Sequence, residues 1–138
     1  MRTEQIARWS TVFILVVTAG PWAQAQQPKP QTATQFYMDY RAAFDKASKI
    51  DDLFPYMTAD NRKEVEGTPK ADRDKMFQMM KIVGALTNVK VIKESPTPDG
   101  GALLTAEGVD GDKKKTNGNI TIVKEKGAWK LGKENWSS

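Results

Sequence analysis

Residues 117-NGNITIVKEKGAWKLGKENW-136 carry the clearest structural pattern of the chain. Ile120 and Ile122 alternate with Asn119, Thr121 and Val123. Beyond Lys126 and Gly127, Trp129 and Leu131 alternate with Lys130 and Gly132. A period of two on both sides of a glycine-containing turn predicts two antiparallel strands joined by a tight hairpin. The segment also holds two of the chain's four tryptophans, so the hairpin contributes large apolar surfaces as well as backbone pairing.

The same period extends upstream. Val89 and Val91 alternate in one expected strand, and Ala102, Leu104 and Ala106 in the next. Residues 95–101, SPTPDGG, supply the Pro, Asp and Gly of a turn, and Asp110, Gly111 and Asp112 supply another. Before Thr87 the period becomes helical. Thr32 and Gln35 have capping-box spacing. Phe36, Tyr40, Ala43, Phe44 and Ala47 then fall on one apolar stripe, with Asp39, Arg41, Asp45 and Lys46 mostly off it. Ser48 is the expected cap of a short second helix, whose length Pro55 limits. A third short helix is expected from Thr58 to Val65, closed by Gly67. The last helix starts after Thr68 and Pro69, with residues 71–86 as its body. On it Met76, Met80 and Val83 make one face, flanked by Phe77, Met79 and Leu86, and all read as core. Helices first and about four strands after them predict an α+β fold, with the helices on one face of a curved antiparallel sheet.

The first 25 residues read as a signal peptide. Arg2 and Arg8 form a basic start, Val12 to Val17 a short apolar run, and Ala23-Gln24-Ala25 a small-x-small cleavage site. That run is shorter than the about 20 residues a spanning helix needs. The expected organisation is a signal peptide over 1–25, a flexible lead-in over 26–31 and a single domain over 32–138. The expected location is the periplasm or the extracellular medium, with no integral membrane segment after cleavage. The chain has no cysteine, so stability must come from a hydrophobic core without disulfides. Of its net charge of +4, the segment with Arg2, Glu4 and Arg8 carries +1, leaving the mature part near +3. That mild excess, in an exported protein, gives no reason to expect nucleic acid as a partner.

No histidine and no cysteine exclude a cysteine nucleophile, a Ser-His-Asp triad and a histidine or thiolate zinc site. Neither nucleotide-binding glycine loop is present. Met76, Met79 and Met80 share a helix face and could in principle hold Cu(I), but methionines among Phe77, Val83 and Leu86 read as packing. Residues 110–112, DGD, lack the later oxygen ligands of a calcium loop. No metal and no cofactor is therefore expected. Lys113, Lys114 and Lys115 read as a solvated turn, with contact to anionic lipid as a further option.

Residues 36–44 in the first helix and 123-VKEKGAWKL-131 in the last hairpin resemble the cystatin-like α+β fold, and within it the nuclear transport factor 2-like superfamily, which includes small exported bacterial domains. The resemblance implies a cone-shaped pocket between the helices and the concave sheet. Inward-facing periods then nominate Phe36, Tyr40, Phe44, Tyr56, Met80 and Trp129 as pocket lining. The expected function is non-catalytic binding of a small apolar ligand, or of a protein partner, through that pocket or the sheet face. The resemblance also allows a homodimer through the outer sheet face. The alternative is an isomerase- or dehydratase-like enzyme using Tyr40 or Tyr56 with a nearby carboxylate. Ketosteroid isomerase, of the same superfamily, pairs an Asp base with a Tyr and a protonated acid. No residue here matches its motif, so no catalytic role carries over. Asp39 lies about 100° around the helix from Tyr40 and so faces solvent. The enzymatic alternative requires a titratable acid inside the pocket.

Overall fold

The computed structural model describes residues 31–138. The expected signal peptide, and the lead-in up to Pro30, lie outside the described residues. Helix α1 spans Ala33–Lys46. A 3-10 turn, Ile50–Tyr56, follows, then α2 over Ala59–Gly67 and α3 over Lys70–Val83. Four strands complete the domain: β1 over Thr87–Pro96, β2 over Ala102–Val109, β3 over Lys115–Glu125 and β4 over Ala128–Ser137. They form one antiparallel sheet in the order β1-β2-β3-β4. The chain is thus an α+β protein with its helices before the sheet.

The C-terminal hairpin of β3 and β4 forms as its pattern demands. Glu125 pairs with Ala128, and Lys126 and Gly127 between them have φ of 50° and 79°. Left-handed φ at both central residues gives the turn a twist that matches the strands it joins. Ile120 and Ile122 are fully buried beside Leu104 and Ala106 of β2. Each large apolar side chain so buried contributes about 1.5–3 kcal/mol. The inner face of β3 also carries Gly118, against which the Trp136 ring lies flat. A Cβ there would come within 2.8 Å of the indole.

Two irregularities shape the sheet. β1 has register shifts on either side of Lys90 and Val91. In β4, Thr121 pairs with Lys133 and Ile122 with Leu131, leaving Gly132 as an unpaired extra residue. Such bulges bend a strand and raise its twist. The one at Gly132 also changes the phase of β4. Strict alternation from Trp129 and Leu131 would turn residues 133 and 135 inward. Instead Glu134 and Trp136 lie opposite the inward Ile120 and Gly118.

Helix α1 is the main layer over the sheet. The Thr32–Gln35 capping box is present, and Phe36, Tyr40 and Phe44 are buried as the stripe predicts. Tyr37 and Arg41 are buried as well, which corrects the placing of Arg41 off the buried face. The sheet supplies negative charge to helix N-termini, where the helix dipole favours it. Glu94 of β1 accepts from both the amide and the hydroxyl of Thr34 at 2.7 Å. Glu125 of β3 accepts from the amide of Ala59 at 3.1 Å.

Two helix expectations need correction. Ser48 does not cap the second helix. That element is a 3-10 turn preceded by Lys49, and Asp52 is the acceptor, receiving the Ser48 amide at 3.0 Å. Those donors hold the Asp52 carboxyl below the ordinary carboxylate range. The last helix ends at Val83, before Leu86, and its methionine face is not core. Only Phe77 of α3 is buried, edge-on to Phe44 with ring centroids 6.5 Å apart. Met79 is 60% exposed and Val83 77%. The α3 backbone stands off from the sheet, pinned to α1 by Lys81, whose Nζ donates to the Phe44 and Asp45 carbonyls at 2.6 and 3.0 Å.

Candidate functional site

The standoff of α3 leaves a cavity of about 680 Å³ between α1, the segment after the 3-10 turn, α3 and the end of β4. Its position follows from three local features. The C-terminal end of α1 presents Tyr40, Arg41 and Phe44 to it. Residues 55–61 dock along β4 through a parallel bridge between Met57 and Leu131 and the Lys130 Nζ bond to the Pro55 carbonyl at 2.7 Å. The bulge at Gly132 then turns Glu134 inward.

The walls are mainly apolar. Met76, Met79, Met80 and Val83 of α3 form one side, and Met57, Val65 and Leu131 face them. Thioethers suit a wall that must accept varied shapes, because methionine is unbranched and polarizable. The exposed polar groups among the lining residues, Asn61, Glu64 and Lys133, belong to its rim. The inner wall holds the buried lining residues Tyr40, Arg41, Phe44 and Ile50.

Arg41 and Glu134 are the inner wall's charged pair. Arg41 Nη1 donates to Glu134 Oε1 at 3.4 Å, with the side chains 5% and 17% exposed. Arg41 Nη2 donates to the Gly84 carbonyl at 2.9 Å, and the Trp136 indole donates to Glu134 Oε1 at 2.9 Å. The guanidinium therefore links α1, the end of α3 and β4. The pairing leaves Arg41 Nε, Glu134 Oε2 and the Tyr37 hydroxyl buried without hydrogen-bond partners. Burial pushes the Glu134 carboxyl above its ordinary value, while the Arg41 charge and the Trp136 hydrogen bond pull it back. Burial first and the Glu134 charge second push the Tyr37 and Tyr40 hydroxyls well above the ordinary phenol value, so both phenols stay protonated donors.

Of the six residues nominated from sequence, Tyr40, Phe44, Tyr56 and Met80 line this cavity. Phe36 lies in the core, with its ring 5.8 Å from that of Tyr56. Trp129 covers the start of α1, donating its indole N–H to the Gln31 carbonyl at 2.7 Å under the Lys124 ammonium, 4.4 Å from its ring. Arg41 and Glu134 were not among the six. Tyr37, Arg41 and Phe44 fall at i, i+4 and i+7, a spacing that marks a second buried stripe. A glycine inside the β4 pattern is a bulge signal that places Glu134 inward. Among the described residues no group of three or more acidic side chains is arranged to hold a metal ion, and no helix is long and apolar enough to cross a membrane.

The chain matches no protein-family model, no curated protein and no solved structure.

Proposed function

We propose that the protein is an exported, non-catalytic binding protein of the nuclear transport factor 2-like type, which takes up a small amphipathic ligand in the cavity between α1, α3 and β4. The observation that carries this reading is the cavity itself. Its volume of about 680 Å³ falls within the roughly 300–1,000 Å³ of small-molecule sites, which are mostly apolar with a few placed polar groups. Four methionines on its wall and one buried ion pair fit that description. An exported protein of this type would meet apolar small molecules that need a carrier through water. Titration with an environment-sensitive apolar dye should give one saturable site. Met80→Trp should fill the cavity and abolish dye binding while the thermal melt stays cooperative. Dye binding unchanged in that variant would refute the assignment.

One observation favours a second reading, an isomerase- or dehydratase-like enzyme. Glu134 is a titratable acid on the cavity wall, its charge helps burial push the Tyr40 hydroxyl up, and Asp39 and Asp52 are exposed. Glu134 would act as the proton acceptor and Tyr40 as the donor to a developing oxyanion. Solvent-deuterium incorporation next to the carbonyl of a bound ketone, lost in Glu134→Gln, tests it. No incorporation excludes it.

A further inference from the structure

We infer that the Arg41–Glu134 pair is a charge filter: it makes the cavity select ligands whose buried end is uncharged and carries a hydrogen-bond acceptor, and reject anionic ones. This rests on the cavity-binding reading and specifies its ligand. Three observations converge on it. First, the charged pair of the inner wall compensates itself, with Arg41 Nη1 and Glu134 Oε1 3.4 Å apart and both side chains largely out of water. A ligand charge placed beside it gains no unpaired counter-charge and loses its hydration, which is costly in an apolar site. Second, both terminal nitrogens of Arg41 already donate, Nη2 to the Gly84 carbonyl and Nη1 to Glu134, while its Nε is buried without a partner. An incoming carboxylate would have to compete with Glu134 for the guanidinium.

Third, the Tyr40 hydroxyl is available to a ligand. Tyr40 is 6% exposed and lines the cavity. Among the described residues no hydrogen bond occupies its hydroxyl. As a protonated phenol it offers one donor. It therefore meets an ester, amide or ether oxygen at the ligand's end, while the chain of the ligand lies along Met57, Val65, Met76 and Met80. The cationic Lys133 and anionic Glu64 stand at the rim, where a charged far end would remain hydrated.

The test uses a matched set, methyl decanoate, decanoate and undecane, each displacing the apolar dye at neutral pH. The ester should bind at least about tenfold more tightly than the anion, because the latter must be buried beside a self-compensated pair. Tyr40→Phe should reduce the ester to the affinity of the alkane and leave the alkane unchanged. Glu134→Gln keeps the shape of the side chain but uncovers the Arg41 charge, so the preference should reverse and favour decanoate. Equal binding of ester and anion to the wild-type protein would overturn the filter alone, and so would an unreversed preference in a cooperatively folded Glu134→Gln variant. Failure of the dye itself to bind would overturn the cavity reading and the filter with it.

Discussion

Arg41 and Glu134, 93 residues apart in the chain, meet at 3.4 Å inside the protein and join the first helix to the last strand. Neither has another charged partner within salt-bridge distance among the described residues. Removing one member leaves the other buried and uncompensated, which for buried pairs costs about 3–5 kcal/mol. Arg41→Met should therefore lower stability by about 3 kcal/mol or more. The double variant Arg41→Met with Glu134→Leu should recover a large part of that loss, because no charge remains to be desolvated. Urea unfolding of the four proteins of the cycle measures the coupling. Additive losses would show that the pair carries no mutual energy.

Glu134 also sets a pH dependence. Its carboxyl is raised above the ordinary 4.5, first by burial, against the opposing pull of Arg41 and Trp136. A folded-state value above the unfolded one means that the folded protein holds the proton more tightly. The stability this group contributes is fully present below the ordinary value and lost as pH rises through the raised one. Asp52 acts oppositely: its lowered value, set first by the Ser48 amide, contributes stability that is lost as pH falls through it. The stability of wild type relative to Glu134→Gln should fall as pH is raised from below 4.5 and then level off. Urea unfolding across that range reads the difference. A difference that rises with pH would contradict the burial of Glu134.

Trp129 is half-buried over the start of α1 and donates to the Gln31 carbonyl. Trp129→Ala should cost about 1.5–3 kcal/mol from lost packing. Trp129→Phe keeps most of the ring and loses the hydrogen bond, at a cost of about 1 kcal/mol. Thermal melts of both rank the two contributions. An unchanged melt for Trp129→Ala would show that the hairpin tip does not hold the helix.

Gly118 lies under the Trp136 ring, with no room for a methyl group. Gly118→Ala must displace the indole, at a cost of about 1–3 kcal/mol for overpacking. Trp136 also donates to Glu134, so the displacement should reach the cavity and weaken dye binding. A stable variant with normal dye affinity would separate Trp136 from the site.

Met79 supplies the reverse case. At 60% exposure, Met79→Gln should change stability by less than about 0.5 kcal/mol, although the helical period of residues 76–83 reads as core. A loss of about 2 kcal/mol or more, as for a buried methionine, would mean that α3 packs against the sheet.

These contrasts show what the sequence makes legible. Strand patterning is local and of period two, so Ile120, Ile122, Leu104 and Ala106 reveal their inward face directly. The Thr32–Gln35 box likewise needs only its own neighbours. The candidate site depends on events that no local pattern records. Arg41 is polar by type, and its burial requires Glu134 and the Gly84 carbonyl to arrive from other elements. Glu134 turns inward only because Gly132 adds a residue to β4. The apolar face of α3 is real in sequence, but the fold leaves it on a cavity wall, where the same residues that would fill a core line an opening.

The proposed ligand would enter between α1, α3 and β4. Methyl NMR of methionine-labelled protein reads its arrival there. Met57, Met76, Met79 and Met80 line the cavity, while Met38 lies on the exposed side of α1 and does not. Addition of methyl decanoate should shift the four cavity methyl resonances together and saturably, and leave Met38 in place. Four unmoved cavity resonances, or a shift confined to Met38, would contradict the assignment.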